Sequence, residues 1–136
     1  MIVHERAVHF QEVDAAGIVF FGRFMDYCHD AMDRFFDGVA GGYVGLITKR
    51  RLGFPAVHVE ASWSAPLRYG DTMRIEVTVP KIGTTSCTFR YRFVRAGDGV
   101  EVATIEHVTV CSTLDTMQKT PLPDDCRALL ESHRSS

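Results

Sequence analysis

One long amphipathic segment, followed by a run of β-type segments, constrains the fold of this sequence more than any other feature. From Phe20 to about Asp37 apolar side chains recur with a helical period and cover about half of the helix circumference. The apolar positions are Phe20, Phe21, Phe24, Met25, Tyr27, Cys28, Ala31, Met32, Phe35 and Phe36. So wide and aromatic a face favours a helix that is cradled by a curved sheet.

The remaining segments predict the strands of that sheet. Residues 2–10 alternate as a first strand, and four further strands follow within residues 56–65, 72–82, 86–95 and 100–112. The third and the fourth of these five strands each have a strongly apolar face, with Met73, Ile75, Val77 and Val79 in the third and Cys87, Phe89, Tyr91 and Phe93 in the fourth. Turn signals at 83–85 and 96–99 make these strands antiparallel neighbours. The predicted class is α+β, an antiparallel sheet with one central helix.

Two smaller elements complete the prediction. The glycine-rich loop of residues 38–53 has room for a short helix around residues 44–50, and the sequence PLPDD at 121–125 precedes a short C-terminal helix that Asp124 or Asp125 can cap. With 136 residues, the chain is expected to form a single domain over residues 1–136.

Composition narrows the classes of function. A net charge of −2 provides no global positive field for nucleic acid or anionic membranes. Apolar runs are shorter than the roughly 18 residues of a membrane span, and no signal-peptide block opens the chain, so we expect a cytoplasmic protein. The four cysteines and six histidines are scattered without metal-ligand spacing, and we expect no metal.

The candidate chemistry lies in the segment EVDAAGIVFF, residues 12–21. Asp14 falls in the link to the long helix, where free backbone N–H groups and the helix dipole favour an anion. An N–H around Phe21 or Gly22 would polarise a thioester carbonyl, while Asp14 attacks its carbon or deprotonates a water. The alternative is that Asp14 only orders the turn. Glu12 competes as the reactive carboxylate, although one of the two must point away if the strand alternation continues to Val13.

The segment HFQEVDAAGIVFFGRFMDYCHDAMDRFF resembles the opening signature of hot-dog-fold thioesterases of the 4-hydroxybenzoyl-CoA thioesterase type, in which Asp-x-x-Gly-[Ile/Val]-Val-aromatic precedes the central helix. The likeness continues through FPAVHVEASWSAPLRYGDTMRIEVTV, IGTTSCTFRYRF and TPLPDD. It implies a hot-dog fold, an acyl-CoA thioesterase without a cofactor, coenzyme A being part of the substrate, and a homodimer with active sites at the subunit interface, commonly paired again into a tetramer.

The same resemblance implies roles for individual residues. Asp14 matches the catalytic carboxylate, as nucleophile or general base, and the backbone N–H of Phe21, with that of Gly22, matches the donor to the thioester carbonyl. Gly17 matches the glycine that permits the turn. Some relatives have a histidine seven residues after the aspartate, where this chain has Phe21. Imidazole chemistry is therefore in doubt here, whereas the backbone donor is not.

The resemblance also indicates an aryl-CoA substrate, of the 4-hydroxybenzoyl or 1,4-dihydroxy-2-naphthoyl type. Phe20, Phe21 and Phe24 are candidates for an aryl pocket, although each ring can equally be plain core. His58 is a possible substrate contact, yet a lone histidine is more often structural. Candidate groups for the phosphates of CoA are Lys81, Arg90 and Arg92 with the turn of Gly83, Thr84, Thr85 and Ser86, or alternatively the run Lys49, Arg50 and Arg51.

Three other functions stay open at this point. The acyl group can be aliphatic, of short or medium length. A hot-dog dehydratase would need a positioned histidine, for which His58 is the one plausible base. A non-catalytic acyl-CoA-binding protein of the same fold would not need Asp14 at all.

Overall fold

A computed structural model describes residues 1–135 of the chain. Its eight strands are β1 Ile2–Ala7, β2 Leu52–Gly53, β3 Ala56–Trp63, β4 Thr72–Ile82, β5 Ser86–Arg95, β6 Glu101–Val110, β7 Ser112–Thr113 and β8 Gln118–Lys119. Five of them form one antiparallel sheet in the order β1-β4-β5-β6-β3, and β2, β7 and β8 form a small second sheet. The predicted antiparallel α+β architecture is confirmed.

The central helix α1, Arg23–Phe35, packs on the apolar face of the large sheet. Phe24 meets Phe93 of β5 with ring centroids 5.1 Å apart, and Phe35 meets Phe89 at 5.2 Å, both edge to face. The predicted inward faces of β4 and β5 are fully buried here. The helix continues as a 3₁₀ turn at Phe36–Gly38.

The start of the helix differs from the sequence prediction. Residues 20–22 form a turn, because the Arg23 N–H bonds to the Phe20 carbonyl at 2.9 Å before α1 begins. Phe20 and Phe21 therefore do not lie on the buried helix face, and both are exposed, as Met25 is in part. The first strand is also shorter than predicted, since a 3₁₀ turn occupies Phe10–Glu12.

The two smaller helices occur near their predicted places, as α2 Gly42–Thr48 and α3 Asp124–Ser132. The expected aspartate cap of α3 is wrong, because Pro123 is the N-cap residue. Asp125 instead accepts from the Arg50 guanidinium at 2.7 Å and so links α3 to the end of α2. Within residues 1–135 no helix is both long enough and apolar enough to cross a membrane.

Strand β3 ends the large sheet on one side, and it is unusually exposed for a strand of eight residues. Val57, Val59 and Trp63 are each at least 41% exposed. The neighbouring surface of the helix start adds Phe21 and Met25. A long apolar edge strand is a ready template for pairing with another strand.

Candidate active site

A tight turn places Asp14 at the surface. Residues Val13 and Val19 pair across it, the Asp14 N–H bonds to the Ile18 carbonyl at 2.9 Å, and Gly17 adopts φ +78°, which a residue with a side chain adopts only with strain. One carboxylate oxygen of Asp14 accepts the Ala16 N–H at 2.8 Å. The other oxygen has no hydrogen-bond partner among residues 1–135. Asp14 thus orders the turn and still offers a free oxygen to solvent.

The competing carboxylate, Glu12, is buried and fully engaged. Its two oxygens accept from the Arg6 guanidinium at 2.7 Å and from the His9 N–H at 2.8 Å. Burial alone would raise the pKa of Glu12, but these hydrogen bonds outweigh it and hold the pKa below its usual value. Strand alternation would place residues two apart on the same side, so it is the 3₁₀ turn at Phe10–Glu12 that turns Glu12 inward while Asp14 points outward. Of the two, only Asp14 can reach a ligand.

The start of α1 leaves two backbone donors free. The N–H groups of residues 23–25 bond to the carbonyls of residues 20–22, and the Phe20 N–H bonds to the Glu12 carbonyl at 3.0 Å. The N–H groups of Phe21 and Gly22 have no acceptor within the described part of the chain. Free donors at the positive end of a 13-residue helix are suited to a developing oxyanion.

Asp14 and the helix start open on one groove of about 400 Å³. Its walls are Asp14, Ile18, Val19, Phe21, Phe24, Trp63, Ala65, Pro66 and Leu67. The Trp63 ring lies edge-on to Phe21 at 6.2 Å and to Phe24 at 5.9 Å. One ionisable carboxylate in an otherwise apolar and aromatic groove suits an acyl group held next to a reactive oxygen.

The aromatic candidates of the sequence separate in the structure. Phe24 is buried and lines the groove, whereas Phe20 is exposed, packs on Phe21 at 4.8 Å and is not one of the groove walls. Trp63, which is not among the candidate residues of the sequence, is a wall of the groove. The sequence could have indicated this position, because strand alternation places Trp63 on the same face of β3 as Val59 and Ala61.

The residues predicted to bind the CoA phosphates, and His58 as a predicted substrate contact, lie elsewhere on this chain. His58 and Lys81 line a shallow depression on the sheet face opposite α1, and His58 contacts Glu60 at 3.0 Å. Arg90 and Arg92 on that face already pair with glutamates, at 3.4 Å and at 2.9–3.1 Å. None of these residues lines the Asp14 groove of the same chain.

The β4–β5 turn, with Gly83, Thr84, Thr85 and Ser86, is also remote from the groove walls. The Arg127 guanidinium of α3 donates to the carbonyls of Gly83 at 2.7 Å and Thr84 at 3.2 Å. Sequence reasoning missed Arg127, because only the packing of α3 brings it there. In the alternative basic run, Arg50 and Arg51 are paired with Asp125 and Asp115.

Comparisons with known proteins agree on one family. Residues 8–130 match the family model of the thioesterase-like superfamily. A 1,4-dihydroxy-2-naphthoyl-CoA hydrolase from Nostoc punctiforme is 30% identical over 131 residues, which cover 96% of this chain and 87% of the relative. A hydrolase of the same name from Thermosynechococcus vestitus is 30% identical over 133 residues, covering 95% and 88%. A solved thioesterase superfamily structure from Jannaschia sp. CCS1 superposes with a TM-score of 0.90 at 27% identity, covering 99% and 94%.

Proposed function

This chain belongs to the thioesterase-like superfamily, and from that premise we propose that it hydrolyses an aryl-CoA thioester to the free acid and CoA. The observation that carries the proposal is a groove lined both by Asp14, which has one free carboxylate oxygen, and by Phe21, whose N–H is unpaired at the helix start. Relatives named as 1,4-dihydroxy-2-naphthoyl-CoA hydrolases support an aromatic acyl group. The aromatic walls Phe21, Phe24 and Trp63 suit such a ring.

In the proposed mechanism the thioester carbonyl oxygen accepts from the N–H groups of Phe21 and Gly22. These donors stabilise the negative charge that develops on that oxygen in the transition state. Asp14 acts in one of two ways. As nucleophile, its oxygen bonds to the carbonyl carbon, the CoA thiolate leaves and takes up a proton, and water opens the mixed anhydride. As general base, it takes a proton from the water whose oxygen bonds to the carbonyl carbon. The C–S bond then breaks, and the CoA thiolate leaves and takes up that proton.

Thiol release by the parent protein and by Asp14→Asn tests this proposal. The substrates are 4-hydroxybenzoyl-CoA, 1,4-dihydroxy-2-naphthoyl-CoA and short and medium aliphatic CoA thioesters. We expect an aryl thioester to be preferred and kcat in Asp14→Asn to fall at least about a hundredfold, because the carboxylate is the only ionisable wall of the groove.

Asp26→Asn is the matched control, since Asp26 is an exposed aspartate of the first turn of α1 that does not line the groove. Preference for an aliphatic thioester would contradict the proposed aryl substrate, but it would still agree with thioester hydrolysis. No thiol release from any substrate would leave a non-catalytic acyl-CoA-binding protein as the better description. Full activity in Asp14→Asn would overturn the catalytic role of Asp14.

We also propose that the active unit is a homodimer, formed by antiparallel pairing of β3 with β3 of a second copy. Such pairing would satisfy the backbone groups of the exposed edge and bury Val57, Val59 and Trp63. Trp63 and Phe21 are both exposed apolar residues of this surface and walls of the Asp14 groove, so the second copy would lie next to the site. Pairing of dimers into a tetramer stays a prediction.

A second copy beside the groove would also explain why the candidate CoA contacts do not line it. We propose that Lys81, Arg90 and the turn of residues 83–86 of one copy, together with Arg127, serve the phosphates of a thioester held at the other copy. Lys81 forms no ion pair within residues 1–135. A cytoplasmic location is proposed as well, because all four cysteines are buried and unpaired, as is usual in a reducing compartment.

A further inference from the structure

The cleft between α1 and β3 holds a second, smaller cavity, which lies farther from the helix start than the Asp14 groove. The groove walls include Phe21 and Phe24 of the helix side and Trp63 of β3, whereas the next cavity is lined by Met25 and Cys28 with Val59 and Ala56. Helix α1 and strand β3 therefore contribute walls to both the groove and the second cavity. From Gly22 to His29, at the far side of the second cavity, α1 rises about 10 Å.

The second cavity has the size and the lining of an aromatic-ring site. Its volume is about 170 Å³. An apolar protein cavity of about 150 Å³ is large enough to bind benzene. Methionine, cysteine and aliphatic side chains form most of its wall. Its position along the cleft suits a ring attached to a thioester carbonyl at the helix start.

A buried polar pair interrupts this apolar wall. His107 of β6 lines the cavity and is only 8% exposed, and its Nδ1 lies 3.1 Å from the hydroxyl of the fully buried Tyr91. The other ring nitrogen, Nε2, has no hydrogen-bond partner among residues 1–135. Burial, reinforced by the nearby charge of His29, lowers the pKa of His107 and keeps the ring neutral at pH 7.

The pair fixes which nitrogen of His107 carries the proton. A buried phenol needs an acceptor, and Nδ1 is the partner that the structure gives to Tyr91. When Tyr91 donates to Nδ1, the neutral imidazole carries its proton on Nε2. His107 then offers one N–H donor to a cavity in which His29 is the one other polar side chain of the described lining.

We propose that this cavity binds the acyl ring of the substrate, and that His107, oriented by Tyr91, donates a hydrogen bond to a ring hydroxyl. The inference rests on the proposed thioesterase function and narrows its substrate to hydroxylated aromatic acyl groups. His107 is a specificity-determining residue in this proposal, and Tyr91 is a positioning residue.

Binding to an inactive enzyme tests the inference apart from catalysis. Affinities of 4-hydroxybenzoyl-CoA and benzoyl-CoA are measured calorimetrically on Asp14→Asn, which is expected to leave both thioesters intact. We expect the hydroxylated thioester to bind about tenfold more tightly, the typical value of one buried hydrogen bond. Adding His107→Phe should bring the ratio of the two affinities close to one while benzoyl-CoA still binds.

Two further variants separate recognition from loss of structure. Tyr91→Phe keeps His107 and nearly the same side-chain volume, but it removes the hydroxyl that holds the His107 proton on Nε2. We expect this variant to reduce the affinity ratio about threefold. Thr109→Val is the matched control, because Thr109 is a buried residue of β6 that contacts Cys87 at 3.2 Å and does not line the cavity. It should leave the ratio unchanged.

Equal affinities for the two thioesters on Asp14→Asn would overturn the inference, as would a tenfold preference that persists in His107→Phe. If His107→Phe does not fold, an unchanged ratio in Tyr91→Phe would overturn it in the same way. Failure of the parent protein to release thiol would count against the proposed function alone, since the affinity ratio needs no turnover.

Discussion

Two carboxylates that are two residues apart have opposite environments. Glu12 faces inward and pairs with Arg6, while Asp14 faces outward with one oxygen free. The 3₁₀ turn at Phe10–Glu12 produces this difference, because it brings the Glu12 carboxylate back to the His9 N–H. The Glu12 backbone carbonyl also holds the Phe20 N–H. Glu12 is therefore the residue that fixes the distance between the Asp14 turn and the helix start.

Replacement of Glu12 by Gln is expected to lower the free energy of unfolding by about 2 kcal/mol, because charge-assisted hydrogen bonds to Arg6 and His9 are weakened. Urea denaturation near pH 7 measures this loss. Glu5→Gln is the control, since Glu5 is exposed and has no ion pair within residues 1–135, and it should change stability by less than about 0.5 kcal/mol.

The stabilising effect of Glu12 should depend on pH, and the parent protein and Glu12→Gln can be compared to measure this dependence. The pKa of Glu12 lies lower in the folded state than its ordinary value of 4.5. Its contribution to stability is therefore complete above pH 4.5 and is lost as the pH falls through the folded-state pKa. The stability difference between the parent and Glu12→Gln should shrink in acid. A difference that is constant from pH 7 to pH 3 would contradict the assignment.

The start of α1 is the element on which the proposed mechanism depends. The bond from the Arg23 N–H to the Phe20 carbonyl makes Phe21 the second residue of a four-residue turn, a position at which proline is favoured. Phe21→Pro should therefore remove the N–H donor and preserve the turn. We expect kcat to fall about a hundredfold, the usual effect of losing one oxyanion donor.

Phe21→Ala is the matched variant at this position, because it removes the same ring and keeps the N–H. Removal of the ring should mainly raise KM, because the ring is a wall of the groove. Steady-state kinetics of the two variants with the same thioester compare the donor with the side chain. Equal kcat values in both would mean that the Phe21 N–H is not the oxyanion donor.

At the scale of the whole molecule, the two edges of the large sheet differ. Strand β1 ends one side and β3 the other, and each exposes a valine, Val3 at 45% and Val57 at 60%. Only the β3 edge is continuous with an exposed apolar surface that includes walls of the groove. We therefore expect the β3 edge, and not the β1 edge, to form the proposed dimer.

Val57→Lys is expected to weaken the proposed dimer at least about tenfold, because it places a charge in an apolar strand pairing. Val3→Lys adds the same charge to the opposite edge and should leave the dimer intact. Sedimentation equilibrium of the two variants measures the difference. A dimer that survives Val57→Lys and dissociates in Val3→Lys would move the interface to β1.

The sequence by itself determined the central helix and the five strands of the large sheet, although not where each of them begins and ends. The two-residue period of residues 72–82 and 86–95 predicted the buried faces of β4 and β5, since alternation fixes the side of a sheet on which each side chain lies. The segment EVDAAGIVFF predicted the turn before the helix, and its resemblance to thioesterases indicated the family that the comparisons confirm. The roles of Asp14 and Phe21 stay predictions.

Only the tertiary structure decided which candidates share a space. The period of α1 could not separate Phe24, in the groove, from Phe20, outside it, because the turn at residues 20–22 breaks the helical spacing. Tyr91 and His107 are 16 residues apart in the chain, and their contact depends on the register of β5 with β6. A local pattern reports the face of an element, whereas a site depends on how separate elements pack, and that depends on the fold as a whole.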